Sequence, residues 1–195
     1  TYTVTWNSSV TASNTHTLKK GVVTYTLSSS HTIGAGGLKV GDVSGDAATL
    51  TLTTGTLNSS GSAIVGNASG SSGTMNVNDD DAELVITGAS SDLTIASNAP
   101  GTLNVTGGGL VQVSDQFIGG NNSTGASTIT ISGATNTLPL TRSRLIVNGT
   151  GASSRFGQGG DATVAISNGA LAQFAGDLVV SNGSASVSAV TVAGL

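Results

Sequence analysis

A four-residue phrase with apolar side chains at its second and fourth positions returns along most of the chain. Its copies are Thr49 Leu50 Thr51 Leu52, Thr74 Met75 Asn76 Val77, Thr102 Leu103 Asn104 Val105, Thr128 Ile129 Thr130 Ile131, Thr163 Val164 Ala165 Ile166 and Ala189 Val190 Thr191 Val192. A period of two puts Leu, Val and Ile on one side of an extended strand and mostly Thr or Asn on the other. The copies follow one another at intervals of about 25 to 35 residues, within the range of solenoid repeats.

Two further phrases fill each period. One reads Leu38 Lys39 Val40 Gly41, with echoes at Ala63 to Gly66, Leu93 to Ala96, Gln116 to Gly119, Leu145 to Asn148 and Leu178 to Ser181. The other is weaker and covers Gly55 to Leu57, Leu84 to Ile86, Leu110 to Val113, Leu138 to Leu140 and Leu171 to Phe174. Three short strands per period make one three-sided coil, and stacked coils pair equivalent strands in parallel. The expectation is an all-β, right-handed parallel β-helix of six to seven three-strand coils, its handedness taken from the crossover rule. A β-sandwich is the alternative. The return of one phrase in register, and glycine bends where hairpin pairs would stand, favour the helix.

Residues 34–195 are read as the solenoid and 1–33 as an N-terminal cap or first irregular coil. Glycine is sparse in that first segment, which holds Tyr2, Trp6, Tyr25 and both histidines. Only 8% of residues are charged and 3% aromatic, yet β-branched residues are abundant and periodically placed, which argues for order. The net charge of −4 argues against a nucleic acid or an anionic membrane as partner. Arg142, Arg144 and Arg155 form the one basic cluster and read as a solvated edge. No cysteine is present, so neither a disulfide nor a thiolate metal site exists. No run is long and apolar enough to span a bilayer, and the N-terminus lacks the pattern of a secretion signal.

The phrases Gly101 Thr102 Leu103 Asn104 Val105 and Asp177 Leu178 Val179 Val180 Ser181 Asn182 Gly183 Ser184 resemble the passenger-associated repeat of bacterial autotransporters. The likeness covers about residues 34–195. It implies an extracellular or cell-surface β-solenoid that serves as a stalk, adhesin or matrix component. The membrane β-barrel of an autotransporter is not in this sequence.

Several residue groups suggest chemistry. Asp79, Asp80, Asp81 and Glu83 form the densest carboxylate cluster, and oxygen-rich loops of this kind hold Ca²⁺; the competing reading is a polar turn. Gly157 Gln158 Gly159 Gly160 Asp161 occurs once and reads as a turn. Asp92, Asp115 and Asp177 stand at or near the starts of strands and are the best case for a polysaccharide-cleaving row, as in a tailspike-like domain that binds surface glycans. Asp before a strand also closes turns by accepting backbone N–H groups. No G-x-S-x-G elbow is present. His16 and His31 are too few for a metal site and read as surface or cap residues. The Thr and Asn positions of the first phrase line up as ranks resembling an ice-binding surface, although Thr also suits any exposed strand. Asn67, Asn122 and Asn148 head N-glycosylation triplets.

The expected role is structural, not enzymatic. Unpaired strand edges at the two ends invite head-to-tail self-association into filaments, with Thr1, Tyr2, Val4 and Trp6 at one end and Val190, Val192 and Leu195 at the other.

Overall fold

The structure, a computed structural model, describes residues 1–6, 10–12, 14–122, 124–133, 142–183 and 186–194, and of 4–6 and 10–12 the backbone alone. The phrase at 138–140 and Leu195 lie outside the described residues. The first coil holds β1 (Tyr2–Trp6), β2 (Val10–Ala12) and β3 (His16–Leu18), and the second β4 (Lys20–Leu27), β5 (His31–Ile33) and β6 (Leu38–Val40). In the third, the long strand β7 (Ala47–Ser59) bends across two sides and β8 (Ala63–Val65) forms the last. The next coil is β9 (Ser72–Asn78), β10 (Ala82–Ile86) and β11 (Leu93–Ile95), followed by β12 (Gly101–Thr106), β13 (Leu110–Val113) and β14 (Phe117–Gly119). Then come β15 (Ser127–Ser132), β16 (Arg144–Val147) and β17 (Ser154–Phe156), and β18 (Ala162–Ser167), β19 (Leu171–Phe174) and β20 (Leu178–Val180), before β21 (Ser188–Ala193) returns to the first side.

Equivalent strands stack into three faces. The first runs β1-β4-β7-β9-β12-β15-β18-β21, the second β2-β5-β7-β10-β13-β16-β19 and the third β3-β6-β8-β11-β14-β17-β20. Pairing is parallel on the first face, on the second and on the third alike. The fold is therefore the expected all-β parallel solenoid and not a sandwich, which needs antiparallel hairpins. Residues 1–33 run as β1–β5 in parallel with the coils that follow.

Register turns alternation into continuous apolar rows. On the first face Leu50 pairs with Met75, Met75 with Leu103, Leu103 with Ile129 and Ile129 with Val164. All five are sealed from solvent, as are Leu52, Val77, Val105 and Ile131 in the neighbouring row. Phe117, Phe156 and Phe174 continue the interior with edge-on contacts, their ring centroids 5.7 and 5.8 Å apart.

Two corners repeat as faithfully as the strands. One residue beyond the third-face strand stand Gly41, Gly66, Ala96, Gly120, Gly157 and Ser181, all with φ between 58° and 82°. One residue beyond the first-face strand stand Asp79, Gly107, Gly133, Asn168 and Gly194, again with positive φ. The left-handed conformation turns the chain sharply enough to close a small triangle, and glycine enters it without a Cβ clash. At Gly66 the space is closed as well, because a Cβ there would meet the carbonyl oxygen of Pro100 in the following coil.

The structure corrects two strand assignments. Leu145 to Asn148 was expected among the echoes of Leu38 to Gly41, but β16 pairs with β13 and β19 on the second face. The third-face strand of that coil is β17, and its corner is Gly157. Alternation is the same on both faces, so only the left-handed residue that follows tells them apart. The echo read at Gln116 to Gly119 starts one residue later, since Leu93 pairs with Phe117.

Urea denaturation checks this account of the core and corners. Leu103→Ala is expected to cost about 2–5 kcal/mol as a cavity in the apolar row. Gly66→Ala is expected to cost about 1–3 kcal/mol through backbone strain, while Thr102→Ala on the outer side stays within about 0.5 kcal/mol of the parent.

Candidate functional site

The surface that repetition organises best is the outer side of the first face. Thr49, Thr74, Thr102, Thr128 and Thr163 form one unbroken rank by register, bounded by Val22 and Ala189. The rank beside it reads Thr24, Thr51, Asn76, Asn104, Thr130, Ala165 and Thr191. The two ranks differ chemically. In the second, Asn104 Nδ2 donates to Asn76 Oδ1 at 2.9 Å and Asn76 Nδ2 donates to Thr51 Oγ1 at 3.1 Å. Among the described residues no side-chain hydrogen bond engages the five Thr hydroxyls of the first rank, which face solvent.

The acidic cluster is a corner. Asp79 holds the positive-φ position equivalent to Gly107, and its Oδ1 accepts the Asp80 N–H at 2.8 Å. Glu83 has already turned onto the second face, where its Oε2 accepts the Thr56 hydroxyl at 2.9 Å. The hydrogen bond with Asp79 is the main cause that raises the pKa of exposed Asp80. The four carboxylates weighed as a Ca²⁺ site against a polar turn are thus spread along a turn and the strand after it, and no group of three or more His, Asp or Glu suited to a metal ion occurs among the described residues.

Register also separates the proposed carboxylate row. Asp92, Gln116, Ser153 and Asp177 occupy one position in successive coils, each immediately before a third-face strand. Asp115 stands one residue earlier, and two coils with other residues lie between Asp92 and Asp177. Asp92 reaches the next coil: its Oδ1 accepts the Gln116 N–H at 3.1 Å. Partial burial raises its pKa and the Asp115 charge raises it further, against the lowering effect of that N–H. Asp161 likewise bridges coils by accepting the Val187 N–H, whereas Asp46 closes its own turn by accepting those of Asp42 and Val43.

The glycosylation triplets fall at corners whose amides are engaged. Asn67 Nδ2 donates to Asp42 Oδ1 at 2.6 Å, and Asn122 Nδ2 donates to Asn98 Oδ1 at 2.7 Å. Asp42 also pairs with Lys39 at 3.2 Å. Asn148 is exposed. His31, expected at the surface or in a cap, is fully buried and faces His16 with ring centroids 5.0 Å apart.

Of the end residues predicted from sequence, Tyr2, Val4, Val190 and Val192 fall on the apolar rows by register. Tyr2 pairs with Val23 and Val23 with Leu50, so Tyr2 and Val190 are opposite ends of one row. Val4 and Val192 are opposite ends of the next, through Tyr25, Leu52 and their successors. Trp6 pairs with Leu27, and Thr1 is exposed. Tyr2 is 70% exposed, Val190 39% and Val192 59%, whereas Leu50 to Val164 in one row and Leu52 to Ile131 in the other are sealed. Leu178 and Val180 end two third-face rows in the same way, at 38% and 44%. They were not singled out from sequence, and the signal for them was their place in the last copy of the Leu38 phrase.

No helix among the described residues is long and apolar enough to cross a membrane. Comparison with family models, with curated proteins and with solved structures returned no match.

The environment of Asp92 makes a pH-dependent prediction. A carboxyl whose folded pKa is raised favours folding in its protonated form and opposes it once ionised. Asp92→Asn keeps an acceptor for the Gln116 N–H and removes the charge. The urea midpoint of this variant should exceed that of the parent at pH 7, with the difference shrinking below about pH 4, where the unfolded carboxyl is itself protonated.

Proposed function

We propose that the chain is a structural component, a stiff extracellular or cell-surface β-solenoid that acts as a stalk, adhesin or matrix element and joins end to end through its open coils. One observation carries the reading: apolar rows sealed through the middle of the stack surface at β20 and β21. An edge strand with free N–H and C=O groups and an apolar inner row is a template for another strand. Because Tyr2 and Val4 begin the same rows that Val190 and Val192 end, a head-to-tail contact continues each row without a change of register. Such a contact is heterologous and need not close, which favours filaments. The resemblance to autotransporter passengers supports an exported, surface setting with glycans among its partners. Dispersed carboxylates favour a scaffold over an enzyme.

Light scattering and electron microscopy over a concentration series test this. Linear assemblies of the parent chain are expected, with loss of assembly in Val190→Asp/Val192→Asp and retention in the outer-face control Thr191→Asp. Short monodisperse particles at every concentration would overturn it.

The rank of five Thr hydroxyls favours a second reading, an ice-binding face. Methyl and hydroxyl groups at the strand spacing of about 4.8 Å form a flat, regular array. Thermal hysteresis in the parent, abolished by Thr102→Tyr/Thr128→Tyr with the fold retained, is the expected outcome. Its absence from the parent removes this reading and leaves the structural one.

A further inference from the structure

The inner rows carry titratable side chains in the first two coils. On the second face the row from Leu57 through Leu84 and Val111 to Leu145 is sealed and apolar, and its member in the second coil is His31, paired with Leu57. On the third face the row of Leu38, Ala63, Leu93 and Phe117 begins with His16, paired with Leu38. On the first face the row of Leu52, Val77, Val105 and Ile131 has Tyr25 as its second-coil member. Each of the three walls thus sends one titratable side chain into the same end of the core. They meet there: the two imidazoles lie 5.0 Å apart and the Tyr25 hydroxyl is 3.5 Å from His16 Nδ1. His31 is fully buried and Tyr25 is 7% exposed.

We propose that His31, with His16 and Tyr25, is an acid-released latch: protonation of the imidazoles opens the first two coils, β1–β6, from β7 and leaves the rest of the stack in place. A charged imidazole in this setting meets no carboxylate from its own two coils. Residues 1–41 contain neither Asp nor Glu. The remaining charges on these coils are the cations Lys19 and Lys20, which are exposed, and Lys39, which is paired with Asp42. From β6 and β7 the histidines are met by Leu38 and Leu57. Two imidazolium rings at this separation would also repel each other.

The sign follows from burial, which lowers the pKa of His16 and of His31, where His16 lowers it further. A histidine held below its unfolded value binds a proton more readily in the opened chain. Closure is therefore favoured fully above about pH 6.5 and is lost as the pH falls below it. Opening is local because each coil contacts only its neighbours. It would bare the sealed residues Leu38, Leu52 and Leu57.

Hydrogen exchange read by mass spectrometry at about pH 7.5 and about pH 5, corrected for intrinsic rates, tests the latch on the full chain. Protection over residues 16–33 should fall at the lower pH, while residues 101–132 keep theirs. His31→Leu, which places the residue of the next two coils in that row, should keep protection at both values. Equal protection of the parent at both values, or an unchanged loss in His31→Leu, overturns the proposal. Should the leucine variant fail to fold, NMR titration of the parent's histidine ring protons decides: a His31 pKa below the free-histidine value supports the latch, and one at or above it refutes it.

Discussion

The in-register parallel ladder is the interaction on which the rest of this structure depends. Every backbone N–H and C=O of a strand points along the stack axis toward the coil before or after it, so strands are satisfied by their neighbours and not by their own coil. That leaves the side chains two directions only, into a narrow triangular interior or out to solvent. Leu50, Met75, Leu103, Ile129 and Val164 therefore pile directly on one another, and a single polar or oversized intruder would be felt by the coils on both sides. The ladder in turn requires corners that turn within a residue or two. Left-handed residues at Gly41, Gly66, Gly120 and Gly157 provide them, with Ala96 and Ser181 adopting the same conformation despite their side chains.

This geometry also governs where chemistry can gather. Translation by one coil brings like positions together, so the outer surface shows ranks of Thr and Asn. In the interior, unlike groups converge at the end that holds His16, Tyr25 and His31. There the apolar rule of the rows is broken on all three walls at once. At the opposite end the rows are apolar but uncovered, at Leu178, Val180, Val190 and Val192. The first two coils thus carry titratable groups inside, and β20 and β21 carry exposed apolar ones.

Much of the architecture was legible because alternation and repetition report on separate things. Alternation at Leu103 and Val105 gives the strand and its buried side, and the return of the phrase gives parallel stacking, so every copy of the Thr-Leu-Thr-Leu phrase fell on the first face. What alternation cannot give is which face a strand joins. Leu145 and Val147 look like Leu38 and Val40, and only the residue that follows, left-handed Gly157 after β17 against Asn148 after β16, separates them. The acidic run shows a related limit: adjacent Asp residues look like ligands and like a polar turn alike, and it is register that puts Asp79 at a corner that glycine fills elsewhere. His31 was read as a surface residue from its polarity, although its register position opposite Leu57 lies in the core; pairing partners, unseen in a single sequence, decide that.

Double-cysteine crosslinking tests the central claim of parallel, in-register coils most directly, and the cysteine-free chain makes it clean. Register pairs Thr74 with Thr102 and Thr102 with Thr128 on one side of the first face, with neighbouring strands about 4.8 Å apart, inside the Cα range a disulfide accepts. Oxidation of Thr74→Cys/Thr102→Cys and of Thr102→Cys/Thr128→Cys should close an intramolecular disulfide in each, while Met75→Cys/Thr102→Cys, whose side chains point to opposite sides of the sheet, should stay reduced. Crosslinking of the offset pair with failure of the two registered pairs would contradict the solenoid register.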